Sequence, residues 1–123
     1  MRALVVDDSR FIREYLCSLL EERGVECVVA ENGQLALNAL ANSGPCEVAL
    51  VDVNMPVMNG LEFVKAVRGN AQMTDLKILM VTTEAEHAFI EAALDAGADE
   101  YLMKPFDEAA LIDKLHMIGI GQA

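Results

Sequence analysis

Ala3-Leu4-Val5-Val6-Asp7-Asp8-Ser9 opens the stretch that decides the fold. Four apolar residues run without alternation straight into two acids. A continuous apolar run suits a strand covered on both faces, as in a parallel sheet. The period then changes. Phe11, Ile12, Tyr15, Leu16, Leu19 and Leu20 recur at the spacing of one helix face, which predicts a helix packed on the sheet through all of them, Phe11 included. Gly24, after Glu21-Glu22-Arg23, is a natural helix stop. A second apolar run, Val25 to Ala30, follows at once.

The same alternation continues to the end of the chain. Val48-Ala49-Leu50-Val51, Ile78-Leu79-Met80-Val81 and Tyr101-Leu102-Met103 read as further strands. Between them, Ala36, Leu37, Ala39 and Leu40 mark a helix over about Gly33–Ala41, ended by Ser43-Gly44-Pro45. Phe63, Val64 and Val67 mark a third, started near Asn59-Gly60 and ended near Gly69-Asn70. Phe89, Ala92, Ala93 and Ala96 mark a fourth, closed by Gly97. Ala110, Leu111, Leu115 and Ile118 mark a fifth, with Asp107 as its N-cap. Gly119 to Ala123 reads as a short frayed tail. The pattern is (βα)5, an α/β chain with a doubly wound parallel sheet between two helical layers.

Composition agrees and narrows the function. A chain of 123 residues is one domain, residues 1–123, since two would each be too small for a good core. With 54% hydrophobic residues it is not disordered. Acids number 20 against 9 Lys and Arg, for a net charge of −11, so direct binding to nucleic-acid phosphates or anionic membrane surfaces is disfavoured. No apolar run approaches the ~20 residues of a membrane span, and the first is too short for a signal peptide. Cys17, Cys27 and Cys46 share no metal-ligand spacing and read as free thiols of a reducing cytoplasm.

The informative positions are those that follow the strands. Asp7-Asp8, Asp52, Thr82-Thr83 and Lys104-Pro105 end the first, third, fourth and fifth. In an open α/β sheet the carboxyl ends of the strands share one edge, where ligands bind at the point of strand-order reversal. If the first and third strands flank that point, Asp7, Asp8 and Asp52 converge. Clustered carboxylates repel one another, and a hard divalent cation resolves the conflict. An all-oxygen site with few protein ligands suits Mg2+, with Mn2+ as the alternative. Lys104 at the same edge suggests an anionic ligand. Carboxylates, a divalent cation, a lysine and a hydroxyl are together the components of phosphoryl transfer.

Val5-Val6-Asp7-Asp8-Ser9, Val51-Asp52-Val53-Asn54-Met55-Pro56-Val57-Met58-Asn59-Gly60, Val81-Thr82-Thr83 and Lys104-Pro105-Phe106 together resemble the receiver domain of two-component response regulators, in its single-domain chemotaxis type. The resemblance covers essentially the whole chain. It implies a flavodoxin-like strand order, 2-1-3-4-5. It implies that Asp52 accepts a phosphoryl group from a phosphohistidine on a sensor histidine kinase or histidine phosphotransfer protein. Asp8, Asp52 and the Asn54 backbone carbonyl would hold the metal, with Asp7 acting through a bound water. Lys104 and Thr82 would contact phosphoryl oxygens, and a cis Lys104-Pro105 peptide would aim Lys104 into the pocket. Tyr101 would act as a conformational switch with Thr82, changing a face of the fourth helix, fifth strand and fifth helix around His87, Glu91, Asp95, Tyr101 and Lys114. Asn54, Thr83 and Glu84 would tune the phosphoryl lifetime. Arg10, Phe11 and Arg13 open the first helix beside the acidic pocket and are candidates for docking a donor protein, with packing against the sheet as the other reading of Phe11. A flagellar motor switch protein is one output partner consistent with the type, for a monomeric protein.

The residues leave other readings open. Asp52-Val53-Asn54 faintly resembles the Asp-x-Asp of haloacid-dehalogenase-type phosphatases, although the second acid is Asn54. A dinucleotide or flavin site lacks its Gly-rich loop. The chain is expected to be a complete stand-alone regulator, with a receiver excised from a longer protein as the alternative. Gly60 is expected to supply an unusual backbone conformation in the loop after Asp52.

Overall fold

The computed structural model describes residues 1–121. Five strands and five helices alternate: β1 (Arg2–Val6), α1 (Arg10–Glu21), β2 (Glu26–Ala30), α2 (Gly33–Ser43), β3 (Val48–Asp52), α3 (Gly60–Arg68), β4 (Lys77–Thr82), α4 (His87–Ala96), β5 (Glu100–Met103) and α5 (Glu108–Met117). All strand pairs are parallel, and the order across the sheet is β2-β1-β3-β4-β5. This is the expected topology, with β1 and β3 adjacent.

Polar side chains start four of the described helices, α1, α2, α3 and α5. Ser9, Asn32, Asn59 and Asp107 each accept a hydrogen bond from a first-turn amide. Asn59 and Glu62 form a reciprocal capping box on α3. Helix ends explain the small boundary differences. At the end of α1, Gly24 takes a φ of +80° and the Val25 amide turns back to the Leu20 carbonyl at 3.1 Å, so Val25 closes the helix and β2 begins at Glu26. Helix α2 runs on to Ser43 because its stop is set by Gly44-Pro45, not by the end of its apolar face. Beyond α5 the chain is not frayed: Gly119 (φ +86°) lets the Ile120 amide reach the Leu115 carbonyl at 2.9 Å, and Ile120 packs against the core. Gln122 and Ala123, the end of the expected tail, lie outside the described residues.

Two apolar layers sandwich the sheet. One joins Leu4, Val6, Ala49, Val51, Ile78 and Met80 to α2, α3 and α4 through Ala36, Phe63, Val64, Val67, Ile90 and Ala93. The other joins Ala3, Val5, Val48, Leu50, Leu79 and Val81 to α1 and α5 through Leu16, Cys17, Leu20, Leu111 and Leu115. The alternation follows from the pleat, which sends successive side chains to opposite faces. Asp52 pairs in register with Val81, and so belongs to the α1/α5 face, whereas Thr82 belongs with Met80 and Tyr101 to the other.

Phe11 departs from its expected place: it is 74% exposed, because α1 buries only the narrower stripe of Leu16, Cys17 and Leu20. The three cysteines are free thiols, as expected. Among the described residues no helix is long and apolar enough to cross a membrane.

Candidate functional site

Only three polar residues are buried among those described: Asp7, Asp52 and Thr82. All three lie at carboxyl ends of strands. Burying a carboxylate is costly unless it is paired, so this concentration marks the edge where the sheet carries chemistry instead of packing.

Asp7 follows β1, between β2 and β3, and is 1% exposed. Its amide bonds to the Ala30 carbonyl, which holds the chain end in the sheet. One carboxylate oxygen accepts the Ser9 amide at 2.8 Å and the other faces Lys104 Nζ at 3.4 Å. Arg13 Nη1 donates to the Asp7 backbone carbonyl at 2.7 Å. Asp52 ends β3. Its Oδ1 accepts the Val53 amide at 2.9 Å and lies 3.4 Å from the same Lys104 nitrogen. Asp8 is exposed, and one oxygen from each of Asp7, Asp8 and Asp52 lies within 4.8 Å of the others.

The electrostatics follow from this crowding. Burial first, and then the charge of Asp7, push the Asp52 pKa up to about 6 against the pull of Lys104. Burial raises Asp7 as well, more than the Ser9 amide and Lys104 lower it. Burial works against the charge on Lys104, but Asp52 and Asp7 outweigh it and the pKa rises. Three carboxylates facing one ammonium leave an excess of negative charge in a cluster of hard oxygen donors. That donor set fits a divalent cation such as Mg2+.

Lys104 is aimed by the turn after β5. The Lys104-Pro105 peptide is cis, as expected, and the Lys104 amide donates to the Thr82 carbonyl at 2.5 Å, pinning β5 to the end of β4. Thr82 is fully buried, but its hydroxyl does not face Asp52. It lies 3.2 Å from the Thr83 carbonyl and 3.3 Å from Glu86 Oε1. Tyr101 is half-buried against the α2–α4 layer, with Lys114 Nζ 4.7 Å above its ring. Lys114 also pairs with Glu100 at 3.3 Å, and His87 with Glu91 at 3.6 Å on the exposed side of α4.

The loop after Asp52 corrects one expectation. The left-handed residue there is Val57, at φ +69° and 80% exposed, not Gly60. Gly60 is required for space: a Cβ on it would lie 2.4 Å from the Asp52 carbonyl oxygen and 3.1 Å from the Val53 Cα. Asn54 and Glu84 are exposed and Thr83 is half-buried.

Beside Lys104, Phe11 stacks on Tyr15 at 6.5 Å and Tyr15 meets Phe106 at 5.8 Å. With Ile12, Thr83, Lys104 and Pro105 these rings line an open apolar groove of about 420 Å³. Arg10 is on the exposed side of α1, paired with Glu14 at 2.8 Å.

The family model of the response regulator receiver domain matches residues 3–116. The chain belongs to this family. The receiver is 40% identical over 119 residues to the chemotaxis protein CheY1 of Helicobacter pylori, covering 96% of each chain. It is 42% identical over 123 residues to the CheY homologue of Campylobacter jejuni, covering 98% of this chain and 95% of that one. Among solved structures, Vibrio cholerae CheY4 superposes with a TM-score of 0.87 at 38% identity, over 95% of this chain and 97% of that one. This receiver is a phosphoryl-accepting signalling switch of two-component type, homologous to CheY.

Sequence reading placed Arg13 beside the receiver's pocket but missed what it contacts there, and missed the parts played by Ser9 and Glu86. Arg13 and Ser9 hold Asp7 through a backbone carbonyl and an amide, contacts that leave no signature in side-chain type. Glu86 takes the hydroxyls of Thr82 and Thr83 from a three-residue 3-10 turn, Glu84–Glu86. Its signal was present: Thr83-x-x-Glu86 has the spacing of a capping box.

Proposed function

We propose that residues 1–123 act as one receiver domain in which Asp52 is the phospho-acceptor, and that the pocket assists its own phosphorylation and dephosphorylation. The observation that carries this reading is Lys104 Nζ, 3.4 Å from both buried carboxylates. With Oδ1 of Asp52 engaged by the Val53 amide and Lys104, the second oxygen is left to attack phosphorus. The phosphorus–nitrogen bond of a phosphohistidine breaks as the phosphorus–oxygen bond forms, and an imidazole nitrogen leaves. Lys104 then pairs with a phosphoryl oxygen, where transition-state charge develops. A bound Mg2+ or Mn2+ would be held by Asp8, Asp52 and the Asn54 carbonyl, with Asp7 through water. It would neutralise charge on the phosphoryl oxygens. Both Asp7 oxygens have protein partners, which supports the indirect role. The exposed Asn54 and Glu84 and the half-buried Thr83 rim the pocket and tune access of water to the acyl phosphate.

The donor is a sensor histidine kinase or a histidine phosphotransfer protein, docked on the Phe11–Tyr15–Phe106 groove. Output passes through Thr82 and Tyr101 to the surface of α4, β5 and α5. The chemotaxis proteins among its relatives support a target of the flagellar-switch kind. The deciding experiment is phosphorylation by acetyl phosphate with Mg2+, read by intact-protein mass. Wild type gains one base-labile phosphoryl group and Asp52→Asn gains none. Equal labelling of the variant refutes the assignment.

A further inference from the structure

The Glu86 carboxylate does more than cap a turn. Its Oε1 accepts the Thr83 amide and the Thr83 hydroxyl, each at 3.0 Å; a capping box accounts for the first, and the second stays within the same turn. The cap does not account for the third donor, the fully buried Thr82 hydroxyl at 3.3 Å, which comes from the end of β4. A hydroxyl has one proton to give. While that proton is directed to Glu86 and the Thr83 carbonyl, Thr82 has none for a group on Asp52. A charged acceptor holds a donor more strongly than a neutral one. The negative charge of Glu86 is also felt at Asp52, where it disfavours further negative charge.

We propose that Glu86 is a positioning residue that holds the Thr82 hydroxyl in the resting state and competes with the phosphoryl group for it. Phosphorylation must break the Thr82–Glu86 contact, and that break releases the 3-10 turn leading into α4. This rests on the reading of Asp52 as acceptor and Thr82 as its hydrogen-bond partner.

The test is a titration with beryllofluoride, an inorganic phosphoryl mimic, at fixed Mg2+, followed by amide NMR. It compares wild type, Glu86→Gln, Glu86→Ala, Thr82→Ala and the Thr82→Ala/Glu86→Ala double variant. Glu86→Ala should tighten binding about tenfold, the scale of one hydrogen bond to a charged group. Glu86→Gln keeps an oxygen for the Thr83 amide but loses the charge, and should fall between. With Thr82 already replaced, the Glu86→Ala gain should shrink to less than twofold. An unchanged affinity in both Glu86 variants overturns the proposal. So does an equal gain in the Thr82→Ala background, which would reduce Glu86 to plain repulsion. If Glu86→Ala melts poorly, Glu86→Gln decides alone, by gain or no gain. Failure of wild-type protein to take up beryllofluoride overturns the Asp52 reading as well.

Discussion

Replacing Asp52 with Asn should stabilise the metal-free protein, and only above the acidic range. The carboxyl is 6% exposed and shares its pocket with Asp7, so its pKa rises from the ordinary 3.8 to about 6. An acid with a raised pKa binds its proton more tightly when folded than when unfolded. Its contribution to stability is therefore complete below about pH 4 and is lost as pH climbs through about 6. At about 1.4 kcal/mol per pKa unit, wild type gives up about 2–3 kcal/mol between pH 4 and pH 7.5 on account of this group. The amide does not ionise and keeps it. It also relieves Asp7 of a negative neighbour. The assay is urea unfolding of both proteins in EDTA at pH 4 and pH 7.5. Asp52→Asn should gain about 2–3 kcal/mol relative to wild type between the two, or about 10 °C in melting temperature. An identical difference at both pH values would show that the pocket does not carry the electrostatic penalty derived from its burial.

Adding Mg2+ should raise the melting temperature of wild type, by about 1.4 kcal/mol of stability at ten times its Kd, and Asp8→Ala should lose most of that gain. Val57→Asn should stabilise by about 1 kcal/mol, since a β-branched residue at φ +69° is strained and asparagine tolerates that region; thermal melts read it directly. Gly60→Ala should cost about 1–3 kcal/mol and slow acetyl-phosphate labelling, because the new methyl presses on the Asp52 carbonyl.

Much of the architecture was legible because periodicity and capping agreed. Continuous runs such as Val48–Val51 became fully buried strands, and Asn59 and Asp107 started helices where their side chains serve the first turn. The acidic cluster and Lys104 were legible for a topological reason: parallel strands deliver all their carboxyl ends to one edge, so polar residues in those positions must meet. The strand order itself came from family likeness, not from any residue. Three features were legible only in part or not at all. Phe11 has helical spacing identical to that of a core residue, so its place beside the pocket was legible but its choice between core and groove was settled only by the finished packing. Val57 gives no hint of its left-handed backbone. The turn at Glu84–Glu86 is too short to have a period and is signalled only by the Thr83-x-x-Glu86 spacing, and the reach of Glu86 to Thr82 crosses from one element to another.

The pleat at the end of β3 and β4 places Asp52 on the α1/α5 face of the sheet and Thr82, with Tyr101, on the opposite one. The sheet therefore acts as a partition between the two side chains at its carboxyl edge. On the proposed function, a donor seated over Phe11 and Tyr15 would write on one side, and a reader that senses the environment of Tyr101 would listen from the other. The two visitors would then not need to displace each other. The duration of a signal would be set by the lifetime of the bond on Asp52, not by how quickly the donor departs.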